Sequence, residues 1–177
     1  MSETHLKSFH AKAFVVTVSD TRSSGINRDT VGPLLAEQLR NFGFNVGGVR
    51  IVPDERDEIA DLLINLVDVE RADFILTTGG TGLSPRDVTP EATRDVIHRE
   101  IPGFGECMRL SGADKTPMSW LSRATAGIRG STIIMNVPGS ERGAMESLES
   151  ILPMIRHAIE IVRGEAHECG GKPSDNG

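Results

Sequence analysis

Two carboxylates and one glycine-rich turn carry the chemistry that this sequence can do. Gly79-Gly80-Thr81-Gly82 follows directly on the run Phe-Ile-Leu-Thr-Thr. Glycines in such a turn let backbone N–H groups approach phosphate oxygens closely, and the N-terminus of a following helix adds partial positive charge. Asp87 lies just beyond the turn, and Asp54 follows Val52-Pro53 at the end of an earlier apolar run. Carboxylates repel a polyphosphate, but they can hold Mg²⁺, which then bridges to it. The chemistry this combination suits is phosphoryl or nucleotidyl transfer, where positioning and charge neutralisation count for more than covalent help.

Each residue also has a structural reading. Residues 79–82 match neither a Walker A loop nor a G-x-G-x-x-G fingerprint, so the turn alone could be any tight strand-to-helix connection. Asp54 could cap the helix that follows it, with Asp57 in the first turn. Asp20 could serve only its own loop. Asn136 and Pro138-Gly139 could form only a strand-ending turn. Thr89-Pro90 reads as a helix start, Thr89 as N-cap and Pro90 where a missing N–H costs nothing.

An alternating series of elements positions these residues. Residues 13–19 read as a strand buried on both faces, as in a parallel sheet. A polar, flexible stretch, Thr21 to Gly25, leads to a helix at about 29–41, stopped by Gly43. A strand over 46–52, weakened by Gly47 and Gly48, leads to a helix at about 55–69. Residues 74–78 form the third strand. A helix from Thr89 is broken at Ile101-Pro102-Gly103, and a short helix continues to about Leu110. Residues 112–117 read as a loop, and residues 120–129 have no deciding periodicity. Residues 131–137 form the fourth strand, and residues 142–162 are helical with a break or kink at Pro153. This order predicts βαβ units, an α/β fold and a mainly parallel sheet. Ligands of such sheets bind at the carboxyl ends of the strands, and Asp20, Asp54, residues 79–82 with Asp87, and residues 136–139 all fall there.

The chain has 177 residues, 38% of them hydrophobic and 25% charged. That predicts one domain over residues 13–163, with a flexible N-terminus at 1–12 and a disordered tail at 164–177. A net charge of −6 argues against nucleic acid as a partner. No apolar run approaches the ~20 residues needed to cross a bilayer, and residues 1–12 lack a signal-peptide core, so a cytoplasmic location is expected. Cys107 and Cys169 have no metal or redox spacing and read as reduced thiols. The five histidines form no cluster in the sequence and receive no role. Leu148, Ile151, Leu152, Ile155, Ile159 and Val162 read as core or subunit contact.

The run from Thr77 to Gly82, followed by Pro85-Arg86-Asp87-Val88-Thr89-Pro90-Glu91-Ala92-Thr93, resembles the signature of the MogA/MoaB family of molybdopterin-binding proteins. Thr17-Val18-Ser19-Asp20, Ile51-Val52-Pro53-Asp54-Glu55, Leu121-Ser122-Arg123, Gly127-Ile128-Arg129-Gly130 and Asn136-Val137-Pro138-Gly139-Ser140 extend the resemblance along nearly the whole ordered chain. Within the family the chain is most similar to gephyrin-like G domains. The resemblance implies a three-layer α/β/α fold, usually a homotrimer, and transfer of AMP from MgATP to molybdopterin with release of pyrophosphate. A later molybdenum-insertion enzyme would receive the product. It further implies that Asp54 and Asp87 are catalytic and hold Mg²⁺. Gly79, Gly80, Thr81, Gly82, Asn136, Pro138 and Gly139 would line the ATP site. Asp20, Ser122, Arg123 and Arg129 would stand on the molybdopterin side. The rival readings are a MoaB-type paralogue, a non-catalytic molybdopterin carrier or scaffold, and a competence-damage-like pyrophosphatase, which carries extra domains.

Overall fold

A computed structural model describes residues 10–165. The N-terminal residues 1–9 and the tail from residue 166 onward, with Cys169 in it, lie outside that range.

Strand β1 (Lys12–Val18) is the hub. It pairs in parallel with β2 (Asn45–Val52) on one side and with β3 (Phe74–Thr78) on the other. β3 pairs in parallel with β6 (Thr132–Val137). Two short antiparallel strands, β5 (Ala126–Arg129) and β4 (Arg99–Glu100), extend the sheet beyond β6. The full order is β2-β1-β3-β6-β5-β4. The chain leaves β1 for β2 in one direction and then returns to β3 on the other side. The crevice at the carboxyl ends of β1 and β3 is therefore a topological switch point, the usual place for a ligand in an open α/β sheet.

Strand alternation divides the apolar residues between the two faces. Val15, Phe74, Leu76, Ile133 and Met135 face a cluster built with α2 (Val31–Phe42), α5 (Pro102–Ala113) and α6 (Glu141–Val162). Phe14, Val16, Ile75 and Ile134 face the opposite cluster, built with α3 (Arg56–Asp68) and α4 (Thr89–Val96). This is the expected three-layer α/β/α sandwich, and its sheet is mainly parallel. The stripe Leu148, Ile151, Ile155 and Ile159 of α6 is fully used in the first cluster, so it is core and not free surface.

Several local readings change. The stretch after β1 is a short helix, α1 (Asp20–Ser23), because the Ser19 hydroxyl accepts from Arg22 N and starts the turn. Residues 117–121 form a 3-10 turn (Pro117–Leu121), and α5 runs on to Ala113. Pro153 lies inside one continuous helix, α6, and no second helix begins there. Thr89 is the first residue of α4 and not its cap; Val88 holds the cap position and makes no side-chain bond there. Among the described residues no helix is long and apolar enough to cross a membrane.

Candidate active site

The carboxyl edge of the sheet opens into a cavity of about 640 Å³. Three segments frame it. The first is the β3–α4 loop, with Gly80, Thr81, Gly82, Leu83 and Asp87 on the wall. The second is the end of β6 and the start of α6: Pro138, Gly139, Ser140, Gly143 and Ser147. The third is α5 and the 3-10 turn after it, which bring Met108, Arg109, Met118, Leu121 and Ser122. The wall is mostly apolar in surface, with polar side chains contributed by all three segments. Such a surface suits a small molecule held by apolar contact and oriented by a few polar groups.

Backbone geometry sets the glycine turn. Gly79 has φ +102°, and a Cβ on it would fall 2.3 Å from Val18 O. The turn therefore passes tightly across the end of β1, and Gly79 lies under the cavity rather than on its wall. Gly79 N donates to Val137 O (3.2 Å), and the Thr78 hydroxyl donates to Pro138 O (2.7 Å). These bonds tie the β3 loop to the β6 loop. Gly80 has φ +61°, and its missing side chain brings it beside Asp54 and Thr89.

The two carboxylates stand on either side of this turn. Asp54 and Asp20 bind each other's backbone: Asp20 N donates to Asp54 Oδ2 (2.8 Å), and Asp54 N donates to Asp20 Oδ1 (2.9 Å). Arg86 adds two bonds to the Asp20 carboxylate and one to Glu55. Burial pushes the Asp54 carboxyl above its ordinary value; the nearby Asp20 and Asp87 charges act the same way, against the backbone bond from Asp20. Asp20 shifts the other way, lowered first by the Asp54 backbone N–H and then by Arg86. Asp87 Oδ2 accepts from Ser84 N (2.8 Å). Neither Asp54 Oδ1 nor Asp87 Oδ1 receives a hydrogen bond from the described residues.

Four residues expected in the site do other work. Arg123 donates to Gly82 O (2.7 Å), to Asp87 O and to Glu91 Oε1. Its guanidinium braces both ends of the loop that carries Asp87. Arg129 lies at the far end of the sheet, where it registers with Thr132 at the start of β6. It pairs there with Asp68 (2.8 Å), whose carboxyl it holds below the ordinary value. Asn136 is fully buried beneath the loop: Nδ2 donates to the hydroxyls of Thr77 and Thr93, both at 2.9 Å, and Oδ1 accepts from Thr125 N. Asp20 is occupied by Arg86 and Asp54, and neither Asp20 nor Asp54 is on the cavity wall, where Asp87 is. Ser122, Pro138 and Gly139 do reach it.

The structure adds residues that sequence reasoning passed over. Arg109 is the cation on the cavity wall, steadied by donation to Ala124 O (3.1 Å). The N-terminus of α6 opens on the cavity, with the Ser140 hydroxyl accepting from Gly143 N. A serine cap directly after Pro138-Gly139 and before a long apolar stripe was the available signal for it. Among the described residues no three His, Cys, Asp or Glu side chains gather as a ready metal site.

Fold and cavity together define an α/β protein with a ligand site at the switch point of its sheet. The chain belongs to the family described as the probable molybdopterin binding domain, whose model matches residues 14–157. It is 40% identical to a molybdopterin adenylyltransferase of Helicobacter pylori, over 89% of this chain and 91% of that one. It is 38% identical to gephyrin of Dictyostelium discoideum, over 85% of this chain but 22% of that much longer one. Among solved structures, the molybdopterin biosynthesis enzyme MoaB of Thermus thermophilus matches with a TM-score of 0.83 and 49% identity, over 87% of this chain and 97% of that chain. The family expected from the motifs is borne out.

Proposed function

We propose that this chain is a molybdopterin adenylyltransferase, which transfers AMP from MgATP to the terminal phosphate of molybdopterin and releases pyrophosphate. The observation that carries the reading is the cavity itself: Asp87, residues 80–82 of the glycine turn and the start of α6 all line it. The likeness to adenylyltransferases supports the same reaction. The MoaB likeness keeps a paralogue without this activity as the second reading.

The donor set fits Mg²⁺. Asp54 and Asp87 each keep one oxygen without a hydrogen bond from the described residues. Two carboxylates and no nitrogen or sulfur make a hard oxygen site, and Mg²⁺ is commonly held by one or two carboxylates, with phosphates and water completing the shell. Bound there, the ion would neutralise phosphate charge. Backbone N–H groups of the glycine turn and the N-terminus of α6 receive the phosphate oxygens. Arg109, Ser122 and Ser140 hold the anionic end of the pterin. Leu83, Met108 and Leu121 cover ring surface and exclude water. Arg123 keeps Asp87 in place. The nucleophile is a substrate phosphate, so no protein side chain forms a covalent bond; alignment of the two substrates for in-line attack supplies the catalysis.

Active protein is a homotrimer in this reading, works in the cytoplasm and passes its product to a molybdenum-insertion enzyme. The apolar surface for contact between copies in this reading is that of Leu110 and Trp120, with Met154 and Ile161 of α6 exposed outside its buried stripe. Sedimentation at micromolar concentration should give three copies; a monomer contradicts this part.

The reaction is tested by anaerobic incubation with molybdopterin, ATP and Mg²⁺ and detection of the adenylylated pterin. Product that disappears without Mg²⁺ supports the reading. Pterin binding with no product supports the carrier or paralogue. Asp87→Asn should lose at least about 100-fold in turnover, as removal of a charge-stabilising group commonly does, while keeping its fold and pterin affinity.

A further inference from the structure

Thr89 raises a question that the proposed reaction leaves unanswered. It is fully buried, and its hydroxyl has no hydrogen-bond partner among the described residues. Buried polar groups without partners are rare because they forfeit their hydration. Valine has the same shape and would fill the position without that cost. The hydroxyl is not spent on capping α4, since Thr89 is the first helical residue and lies beyond the cap.

Its surroundings point to a use. Thr89 N donates to Gly80 O (3.1 Å), which fixes the start of α4 against the glycine turn. The side chain then lies over the bare Cα of Gly80. A Cβ built on Gly80 would fall 2.3 Å from Thr89 Oγ1 and 3.3 Å from Asp54 Oδ1, so both oxygens face the same small notch. One water can reach about 2.8 Å to each of two oxygens, which spans any separation these two distances permit. Asp54 Oδ2 is already taken by Asp20 N, and Oδ1 is the oxygen left over.

We propose that Thr89 is a positioning residue for Asp54, its hydroxyl donating through one bridging water to Oδ1 and fixing how that oxygen faces the glycine turn. The inference rests on the reading of Asp54 as a metal-holding carboxylate. Thr89 touches neither substrate. It acts by limiting rotation of the carboxylate, whose other oxygen alone would leave the plane of the group loosely set. It also gives the glycine at position 80 a second reason, since any side chain there would displace the hydroxyl from the notch.

The test compares wild type with Thr89→Val and Thr89→Ser. Urea unfolding reads stability, Mn²⁺ paramagnetic resonance with ATP reads metal affinity without turnover, and steady-state kinetics separate kcat from the KM for ATP. Thr89→Val should be at least as stable as wild type, bind Mn²⁺ about tenfold more weakly and lose about tenfold in kcat, with the KM for ATP within about twofold. Thr89→Ser should restore both metal affinity and kcat. Thr89→Val that matches wild type within twofold in Mn²⁺ affinity overturns the proposal. So does a wild type that binds no Mn²⁺, because Asp54 then holds no ion for Thr89 to orient. If wild-type protein binds Mn²⁺ but makes no adenylylated pterin, the proposed reaction fails while the metal comparison still decides the role of Thr89.

Discussion

Asn136→Ala separates a buried strut from a ligand contact. The side chain makes three bonds: two donations at 2.9 Å to Thr77 and Thr93, and one acceptance at 3.4 Å from Thr125 N. A net bond contributes about 0.5–1.5 kcal/mol, and the long third one falls at the low end. Truncation also strands the Thr125 N–H in a buried place, where an unsatisfied donor costs about 1–3 kcal/mol. The two threonine hydroxyls can rotate toward other acceptors and recover part of the loss. The expected destabilisation is about 3 kcal/mol, or a fall in melting temperature of roughly 6–12 °C for a chain of this size. Urea unfolding gives the free energy, and kinetics well below the melting temperature give the KM for ATP, which should stay within about twofold of wild type. A loss below about 1 kcal/mol would refute the argument, and a tenfold rise in KM in a fully stable protein would return Asn136 to the ligand wall.

Arg123→Met removes the strut between Gly82 and Asp87 and should lower turnover about 100-fold, the scale of a misplacement of about 1 Å, with far-ultraviolet circular dichroism unchanged; Arg123→Lys should recover little, because one ammonium cannot span the same acceptors. Turnover near wild type in Arg123→Met would show that the loop holds itself. Arg129→Ala should leave turnover and pterin affinity unchanged, and a marked loss of pterin binding would contradict the placement of Arg129 at the far end of the sheet. For pH, the Asp68 carboxyl is lowered in the folded state, first by its bond to Arg129. Its stabilising share is complete above the unfolded-state value of about 3.9 and is lost as pH falls through the lower folded value. Asp68→Asn should therefore be less stable than wild type at pH 7, with the gap closing as pH drops below about 4; urea midpoints across that range check the sign.

β1, β3 and β6 were legible in the sequence because burial on both faces leaves a mark that local composition alone carries, whereas β2, which is largely exposed or half-buried, was legible by its valines and isoleucine. β4 was not legible. Its two residues, Arg99 and Glu100, are exposed and charged, and only pairing with β5 makes them a strand. β5 likewise exists by antiparallel pairing with β6, a tertiary effect that Ala-Gly-Ile-Arg does not announce. In the candidate site, the placement of residues 80–82 and Asp87 on the cavity wall was legible because turns and charges at strand ends are local features. The surroundings of the two arginines are not local features of that kind. A cation in a shared motif looks the same in sequence whether it faces a phosphate or a backbone carbonyl, and only the acceptors around Arg123 and Arg129 tell the two apart. Arg109 was missed because nothing in α5 distinguishes it from an ordinary surface arginine of a helix.

Both margins of the sheet are closed to newcomers. On one side, β2 carries a register shift opposite Ala13 and Phe14, and a positive φ at Gly48, so its outer rim is not a straight template. On the other, β4 offers only two charged, exposed residues. Short, charged or irregular margins discourage strand-on-strand recruitment between molecules. Copies of this domain can therefore be concentrated side by side, or strung within one longer polypeptide, without their sheets fusing into a continuous ribbon. Any assembly must be made through helices and loops, and the sheets themselves stay separate.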